Sequence, residues 1–393
     1  MKAHGSSNVI PITRALPDHL APVYAQFPLD IIDAQGVYLR TPDGRKVLDL
    51  YGGHAVAALG YGHPRWLQAL NAQAHMLCFQ SNAVPLEVRR RAARKLANFC
   101  GLGLDTIFFI NSGAEANENA LKLACKITGG TQVLAVEGSF HGRTAAAGAV
   151  TWGAEKKWYG FPQKPFDVRF IKPEDAGRLD SLINGNTAAV IVEPVQGVAG
   201  AVDLPREFLE ALRVRCSENG SILIFDEVQC GMGRTGHPFA ANMYGVTPDI
   251  ITTAKALGAG FPVSAMLVAD HVAAYMKTDA LGTTFGGGPM ACAIVEAVID
   301  IIESEKLLDN VRARSEEIRN KCMVGPIIGM QGAGLLLGLR TTRPAKEIHA
   351  ELLRQDILTG TSGDPHVLRV LAPFVLESQH VDQLSAALRR LAP

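Results

Sequence analysis

The sequence ILIFDEVQCGMGRTG, residues 222–236, joins a four-residue apolar run to two acids and then to a glycine-rich segment. The run ILIF shows no polar alternation, as expected of a strand covered on both faces of its sheet. GMGRTG spells G-x-G-x-x-G, the pattern of dinucleotide-binding turns, but such a turn follows its strand directly and opens a helix. Here DEVQC intervenes and HPFA follows, so we predict a tight loop and no dinucleotide site.

Similar apolar runs recur through the middle of the chain. They are TIFFI (106–110), VLAV (133–136), AVIV (189–192), DIIT (249–252) and AMLVA (265–269). Residues 114–127 and 205–217 lie between such runs and have helical patterns, the second opening with Pro205. This alternation predicts an α/β fold, with a mostly parallel sheet covered by helices on both faces.

The pattern changes near residue 285. There GGGPMACAIVEAVIDIIESEKL predicts a long helix, GLLLGLR (334–340) a strand and residues 378–391 an amphipathic helix, which together suggest a smaller α+β domain. Near the start, GVYLRTPDGRKVLDL predicts a hairpin that turns at Asp43-Gly44. We therefore predict an N-terminal segment (1–50) that packs with the small domain, a large domain (51–284) and the small domain itself (285–393).

Composition favours small-molecule partners. The chain has 393 residues, 48% of them hydrophobic, and its 38 basic and 38 acidic residues give a formal net charge of +0. Such a balance argues against nucleic acid or a membrane surface as partner. The seven cysteines have no metal-ligand spacing, so no metal site is predicted. Without a signal-peptide pattern or a membrane-spanning apolar run, the protein is expected to be cytoplasmic.

Two of the predicted strands end in residues with catalytic potential. Asp226 follows ILIF at the carboxyl end of a strand, where α/β sheets bind ligands, although it equally suits the cap of a turn. Lys255 follows DIIT, and a lysine there can be desolvated and nucleophilic, although a lone lysine is more often on the surface. An acid and a lysine in one crevice suggest pyridoxal phosphate, which needs a lysine, a carboxylate near its pyridine nitrogen and a phosphate cradle.

Two other strand ends could complete that site. The turn after TIFFI opens directly into a helix, whose positive end and N–H groups can hold a phosphate; a plain N-cap is compatible with the same geometry. The N–H groups concerned belong to Ser112, Gly113 and Ala114. After VLAV, Phe140 or His141 could stack on a flat ring and Arg143 could bind a carboxylate. Taken singly, Phe140 also suits core packing and Arg143 a surface position, but four strand ends agree on one cofactor.

Six motifs carry a family resemblance. They are FFINSGAEANENALKLA, SFHGRT, VIVEPVQG, LIFDEVQCGMGRTG, ITTAKALGAGFP and GTTFGGGPMACA. In this order they resemble the class III aminotransferases, which are fold-type I pyridoxal-phosphate enzymes, and the likeness is strongest to the acetylornithine and succinylornithine aminotransferases. It runs over nearly the whole chain. It implies a large domain with a mostly parallel seven-stranded sheet and a smaller α+β domain.

The resemblance also implies roles around the cofactor ring. Lys255 would form the Schiff base with pyridoxal phosphate and act as the proton-transfer base, and Asp226 would pair with the pyridine nitrogen. Val228 and Phe140 would pack on opposite faces of the ring. Gln229 would approach the phenolic oxygen.

Further implied roles concern phosphate and substrate. Thr284 of a partner subunit would join residues 112–114 at the phosphate, which implies an obligate homodimer with a shared active site. Glu193 would lie beside the ring as a support. Arg143 would bind the distal carboxylate, and Arg369 the α-carboxylate, of 2-oxoglutarate or glutamate.

The implied reaction moves the δ-amino group of N-acetylornithine or N-succinylornithine to 2-oxoglutarate, giving N-acylglutamate semialdehyde and glutamate, in arginine biosynthesis. Another ω-aminotransferase, acting on ornithine, γ-aminobutyrate or an acylated lysine, is the near alternative. More distant are a pyridoxal-phosphate mutase or racemase and a non-catalytic ligand-binding protein. Where the family often reads Q-G-E-G-G or Q-G-E-A-G, this chain has QGVAG, so Val198 replaces a glutamate that can mask Arg369. LDLYGGHAV (48–56), QGV, LGTTFGG and LTGTSG resemble a branch associated with N-succinylornithine.

Overall fold

The computed structural model describes residues 19–392, so the predicted N-terminal segment before His19, and Pro393 of the predicted small domain, lie outside the described residues. The first part of the chain contains β1 (Asp33–Gln35), β2 (Tyr38–Arg40), β3 (Lys46–Asp49), α1 (Gly52–Ala55), α2 (Pro64–Met76), α3 (Glu87–Cys100), β4 (Thr106–Ile110), α4 (Gly113–Thr128), β5 (Gln132–Val136), α5 (Ala145–Ala149) and β6 (Asp167–Ile171). The middle contains α6 (Leu179–Leu182), β7 (Thr187–Val192), β8 (Val195–Gln196), β9 (Val202–Asp203), α7 (Arg206–Asn219), β10 (Ile222–Asp226), α8 (Ala240–Tyr244), β11 (Ile250–Thr253), β12 (Ser264–Val268) and α9 (Asp270–Ala273). The last part contains α10 (Pro289–Ser304), α11 (Leu307–Lys321), β13 (Ile327–Ala333), β14 (Leu336–Thr341), α12 (Ala345–Arg354), β15 (Ile357–Leu358), β16 (Gly360–Thr361), β17 (Val367–Val370) and α13 (Ser378–Arg389). Short 3-10 helices cover Pro173–Arg178 and Lys255–Leu257.

A seven-stranded sheet in the order β4-β12-β11-β10-β7-β5-β6 forms the centre of the molecule. The strands from β11 to β6 pair in parallel, whereas β12 runs antiparallel to both β11 and β4. The prediction of a mostly parallel seven-stranded sheet is confirmed. The segment between Thr253 and Ser264 holds only a 3-10 helix. A parallel crossover needs a dozen or more residues, so the chain turns back and β12 pairs in the opposite direction.

Both faces of the inner strands of this sheet, such as β7, β10 and β11, are buried, which explains why those strands lack polar alternation. In β10, Leu223 and Phe225 belong to the larger core cluster, whereas Ile222 and Ile224 belong to a second cluster that includes Leu121 of α4. Successive strand side chains point to opposite faces, so each strand contributes to two apolar layers. The carboxyl ends of the parallel strands therefore meet at one edge above a rigid core.

Besides the two-stranded pair β8-β9, two four-stranded sheets lie outside the central one in the described residues. An antiparallel sheet in the order β13-β14-β17-β16 carries Arg369 on β17. The other has the order β1-β2-β3-β15, and its β2–β3 hairpin confirms the turn predicted at Asp43-Gly44. Parallel pairing of β15 with β3 joins the N-terminal hairpin to the C-terminal part of the chain. Within residues 19–392, no helix combines the length and apolar character that crossing a membrane requires.

Candidate active site

Asp226 lies at the end of β10 in a buried hydrogen-bond network, and it is 2% exposed. Its Oδ2 accepts a hydrogen bond from Asn117 Nδ2 at 2.7 Å and lies 2.7 Å from His141 Nδ1. Its Oδ1 accepts from the Val228 N–H at 3.0 Å. Asn117 Oδ1 accepts from the Thr252 hydroxyl at 2.6 Å, which forces the Asn117 amide to present its NH₂ group to the carboxylate. The network thus fixes the carboxylate of Asp226 in one orientation.

Phe140 and His141, the two alternatives for stacking on a ring, have different environments. The His141 side chain is fully buried against Asp226. Phe140 is half-buried, and its N–H donates to Glu193 Oε1 at 2.7 Å. Glu193 follows β7, and burial raises the pKa of its carboxyl to about 7. This geometry leaves Phe140 as the face that can meet a flat ligand.

Lys255 begins the 3-10 helix that follows β11. Its backbone φ is +43°, a left-handed value that is costly for a non-glycine residue and is often found at functional sites. Its Nζ forms no hydrogen bond or ion pair with any residue from 19 to 392. Burial lowers the pKa of the Lys255 ammonium, although the Asp226 and Glu193 carboxylates raise it. An amine of this kind is available as a nucleophile or base.

The turn that opens α4 is at once an N-cap and a possible phosphate cradle. Ser112 Oγ accepts from the Glu115 N–H at 3.2 Å, and the Ser112 N–H donates to Glu115 Oε2 at 2.8 Å. The Ser112 N–H is therefore occupied, whereas the N–H groups of Gly113 and Ala114 donate to none of the described residues. A Cβ on Gly113 would lie 2.6 Å from Val228 Cγ1, so the close packing of this turn on Val228 requires glycine.

Gln229 lies between this site and a strained turn. Its Nε2 donates to the His54 carbonyl at 3.0 Å, and its Oε1 is buried with no partner among the described residues. All residues of Gly52–Ala55 have positive φ. The Tyr51 hydroxyl lies 2.5 Å from His54 Nδ1. The sequence analysis did not identify Tyr51, His54 or Asn117 as site residues. The pair Gly52-Gly53 indicated an unusual turn beside Tyr51 and His54, and Asn117 is a polar residue inside the predicted helix 114–127.

Two guanidinium groups near the site lack carboxylate partners. Arg143 is exposed and stacks on Trp158 at 5.0 Å from the ring centroid. Arg369 is buried, with Nε donating to the Thr361 carbonyl at 2.7 Å and one terminal nitrogen donating to the Gly197 carbonyl at 3.1 Å. Burial lowers the pKa of Arg369. Neither arginine forms an ion pair with a described residue, so both can bind ligand carboxylates.

These features fit a flat, phosphate-bearing cofactor. Lys255 supplies an unpaired amine, Asp226 a fixed carboxylate, and the start of α4 unpaired N–H groups at a helix terminus. The partnerless Gln229 Oε1 indicates that a group outside the described residues completes its hydrogen bonding. Thr284 is exposed and bonds to none of the described residues, whereas the hydroxyl of Thr283 accepts from Asn111 Nδ2 at 3.3 Å.

Glu227, the second acid of the opening stretch, has a different environment from Asp226. It is completely buried, and its carboxyl oxygens accept from the N–H groups of Ala240 at 2.5 Å and Ala241 at 2.8 Å. Burial outweighs these hydrogen bonds and raises the pKa of Glu227 to about 8. Glu227 therefore anchors the start of α8, whereas Asp226 faces the candidate site.

The raised pKa of Glu227 predicts a pH-dependent stability. Between the ordinary value of 4.5 and about 8, folded Glu227 holds a proton that the unfolded chain has lost. Its contribution to the free energy of unfolding is thus full at low pH and falls by up to about 1.4 kcal/mol per pH unit as pH rises. The side chain of Glu227→Gln is neutral at every pH. Between about pH 5 and pH 8 the melting temperature of this variant should therefore fall less than that of the wild type. Thermal unfolding tests this, with exposed Glu210→Gln as control; parallel curves for Glu227→Gln and the wild type would contradict it.

Comparison with known proteins gives consistent matches over almost the entire chain. The sequence profile of the family described as aminotransferase class-III matches residues 20–391. An acetylornithine/succinyldiaminopimelate aminotransferase of Yersinia pestis is 37% identical over 94% of this chain and 94% of that protein. A succinylornithine transaminase of Salmonella paratyphi A is 42% identical over 81% of this chain and 80% of that protein.

The fold comparison agrees with these matches. The ornithine aminotransferase of Toxoplasma gondii, a structure with partial occupancy of PLP at its active site, superposes with a TM-score of 0.88 at 27% identity and covers 95% of this chain and 91% of that one. The resemblance and the fold type expected from the sequence are thereby confirmed. The chain belongs to the class III aminotransferases, and pyridoxal phosphate is its cofactor.

Proposed function

We propose that this aminotransferase moves the δ-amino group of an N-acylated ornithine to 2-oxoglutarate, giving N-acylglutamate semialdehyde and glutamate. The observation that carries the proposal is a pair of guanidinium groups that lack carboxylate partners: Arg369, which acts electrostatically on the unpaired amine of Lys255, and Arg143, two residues beyond His141. Two separated cations suit substrates with two carboxylates, such as 2-oxoglutarate. The names of the Yersinia and Salmonella relatives support an acylated donor. We place the reaction in arginine biosynthesis and the enzyme in the cytoplasm.

In this proposal Lys255 would hold pyridoxal phosphate covalently, and its Nζ would accept the proton that leaves the donor carbon. When bound, the cofactor stabilises the electron pair left behind when that proton departs. Asp226 faces the pyridine nitrogen, supported by the network through Asn117. Phe140 and Val228 would hold the ring between them. Asp226 ends β10 and Lys255 follows the neighbouring parallel strand β11, so both lie at the same edge of the sheet.

The remaining residues position the phosphate and the substrates. Gly113 and Ala114 donate N–H groups to the phosphate and Ser112 contributes its hydroxyl, since its own N–H is occupied by Glu115. Gln229 lies toward the phenolic oxygen, and Glu193 and His141 support Phe140 and Asp226. Arg143 binds the distal carboxylate of 2-oxoglutarate, and Arg369 its α-carboxylate.

The decisive experiment compares kcat/KM for N-acetylornithine, N-succinylornithine, ornithine and γ-aminobutyrate, with 2-oxoglutarate as acceptor. We expect an acylated ornithine to exceed the free amines by at least about tenfold, which corresponds to about 1.4 kcal/mol of transition-state binding. A preference for ornithine or γ-aminobutyrate would favour a different ω-aminotransferase. Turnover without any oxo-acid acceptor would favour a mutase or racemase.

Val198 offers a test of the acceptor site. Its carbonyl accepts from the Gly363 N–H at 2.8 Å, and its neighbour Gly197 contacts Arg369. Val198→Glu should supply a carboxylate that pairs with Arg369 and competes with substrate. Hydrogen bonds to charged groups are worth roughly 1.5–3 kcal/mol, so KM for 2-oxoglutarate should rise about tenfold or more, with a smaller effect on the acylornithine. Val198→Gln is the uncharged control; equal KM values in Val198→Glu and Val198→Gln would contradict the prediction.

We further propose a homodimer in which Thr284 of each subunit joins the phosphate site of the other. Thr284 precedes Phe285, which is 66% exposed and packs against exposed Phe79 with ring centroids 5.3 Å apart. Exposed aromatic pairs of this kind are enriched at subunit interfaces. Phe285→Asp should therefore yield monomers with little activity, as measured by sedimentation and turnover. Phe161→Asp, at another exposed aromatic residue, is the control; a dimeric and active Phe285→Asp variant would contradict the proposal.

A further inference from the structure

The GMGRTG segment that first suggested dinucleotide binding packs against the C-terminal part of the chain. A Cβ on Gly233 would lie 3.0 Å from the side chain of Leu308, and one on Gly236 would lie 2.5 Å from that of Arg312. The segment also holds Arg234, which is 0% exposed and among the largest fully buried side chains. Its glycines thus serve close packing, and Arg234 is left as the residue whose presence needs an explanation.

Arg234 is a buried cation without a carboxylate partner among the described residues. One terminal nitrogen donates to the carbonyls of Leu335 at 3.1 Å and Ala372 at 2.5 Å, and the other donates to the carbonyl of Ala55 at 3.1 Å. The guanidinium carbon lies 4.5 Å from the centroid of the Phe374 ring. Burying a charge in this way is unfavourable, and an apolar side chain of similar size would avoid the cost. The compensating benefit must come from the backbone segments that the side chain joins.

Those segments carry residues of the active site. Ala55 ends the strained turn Gly52–Ala55, whose His54 carbonyl accepts from Gln229. Ala372 lies three residues beyond Arg369 on the same segment. Arg234 itself belongs to the loop that continues from Asp226 and Gln229. One planar guanidinium therefore connects the cofactor side of the site to the strand that carries the acceptor-binding arginine.

We propose that Arg234 is a positioning residue that sets the distance between Arg369 and the cofactor side of the site, and thereby tunes recognition of the acceptor's α-carboxylate. The inference rests on the proposed role of Arg369. A planar fork can bond three carbonyls on fixed lines, whereas a lysine ammonium is a compact point charge that cannot reproduce this geometry. Arg234→Lys keeps a nitrogen donor at this position but removes the planar fork, and so loosens the connection. Displacements of about 1 Å at a binding group can cost up to about 10²-fold in rate.

The test measures binding of glutarate, a dicarboxylate that cannot react, to the dimeric holoenzyme by calorimetry. In Arg234→Lys we expect glutarate to bind about ten to a hundred times more weakly and KM for 2-oxoglutarate to rise in parallel. KM for the acylornithine should change by less than about threefold, because its carboxylate uses Arg143. Arg312→Lys is the matched control, since Arg312 also bonds this loop through the Gly236 carbonyl but joins it to Asp309, which lies outside the site.

Two results would overturn the inference. If Arg234→Lys melts at a lower temperature but binds glutarate like Arg312→Lys and the wild type, Arg234 is only structural and the inference is overturned. If Arg369→Gln leaves glutarate binding unchanged, the proposed role of Arg369 fails and the inference falls with it. If Arg234→Lys does not accumulate as folded protein, Phe374→Leu replaces it. This variant removes the aromatic ring beside Arg234 but leaves its three carbonyl partners, and the same glutarate and KM measurements decide the outcome.

Discussion

Lys255→Ala is expected to lower turnover by about 10⁴-fold, the upper end of what a positioned acid–base group contributes. In the proposed mechanism the substitution removes both the covalent attachment of the cofactor and the proton carrier. In the structure Lys255 has no hydrogen-bond or ion-pair partner among residues 19–392, so its removal leaves no buried group unpaired. The variant should therefore fold, form dimers and still bind pyridoxal phosphate, although less tightly.

Borohydride reduction gives a readout of Lys255 that does not depend on activity. Reduced wild-type protein should carry the cofactor mass on the peptide that contains Lys255, and the Lys255→Ala protein should carry it nowhere. A small primary amine added to Lys255→Ala should restore part of the turnover, because an external base can move the same proton. Lys95→Ala, which removes a lysine of α3 that is paired with Asp300, is the control. Labelling of another lysine in the wild type would contradict the assignment of Lys255.

The main features of the fold could be predicted because each central strand has a short apolar run that can be recognised in the sequence without knowledge of distant contacts. The bounds of TIFFI and ILIF agree with those of β4 and β10 within one residue, because strands covered on both faces have no polar positions that interrupt the apolar run. The direction of β12 could not be predicted from AMLVA, because direction depends on the short connection before it. The domain boundaries at residues 50 and 284 remain predictions, although β15 does pair with β3.

The candidate site was only partly predictable, for a related reason. Residues at strand ends, such as Asp226 and Lys255, could be found because strand ends of a parallel sheet converge whatever lies between them. Asn117 could not, because it lies inside α4 and meets Asp226 only when the helix packs on the sheet. The role of Arg234 could not be predicted either, because the pattern GMGRTG was interpreted through its glycines and the three carbonyl partners of Arg234 come from distant segments. Sequence patterns predict elements better than they predict which polar groups those elements bring together.

Asp226→Asn is expected to retain the cofactor and lose about 10²–10³-fold in turnover, the usual cost of removing one preorganised electrostatic group. The carboxylate is buried, so in the proposed mechanism its charge would act at short range on the pyridine nitrogen with little screening by water. The structure also indicates how the new amide of the Asp226→Asn protein would sit. Asn117 can present only its NH₂ group, because its oxygen is occupied by Thr252, so the carbonyl oxygen of the new amide must face Asn117.

The NH₂ group of the new amide must then take the place of Oδ1, where it meets the Val228 N–H, a donor facing a donor. Both the lost charge and this mismatch act on the cofactor side of the site, so turnover should fall for the donor and acceptor half-reactions alike. The absorption spectrum of the bound cofactor should also change with pH differently from that of the wild type. Asp249→Asn is the control, because Asp249 is a buried carboxylate that accepts from the Leu223 N–H away from the site. Near wild-type turnover in Asp226→Asn would mean that Asp226 only caps the turn through Val228, the alternative that the sequence left open.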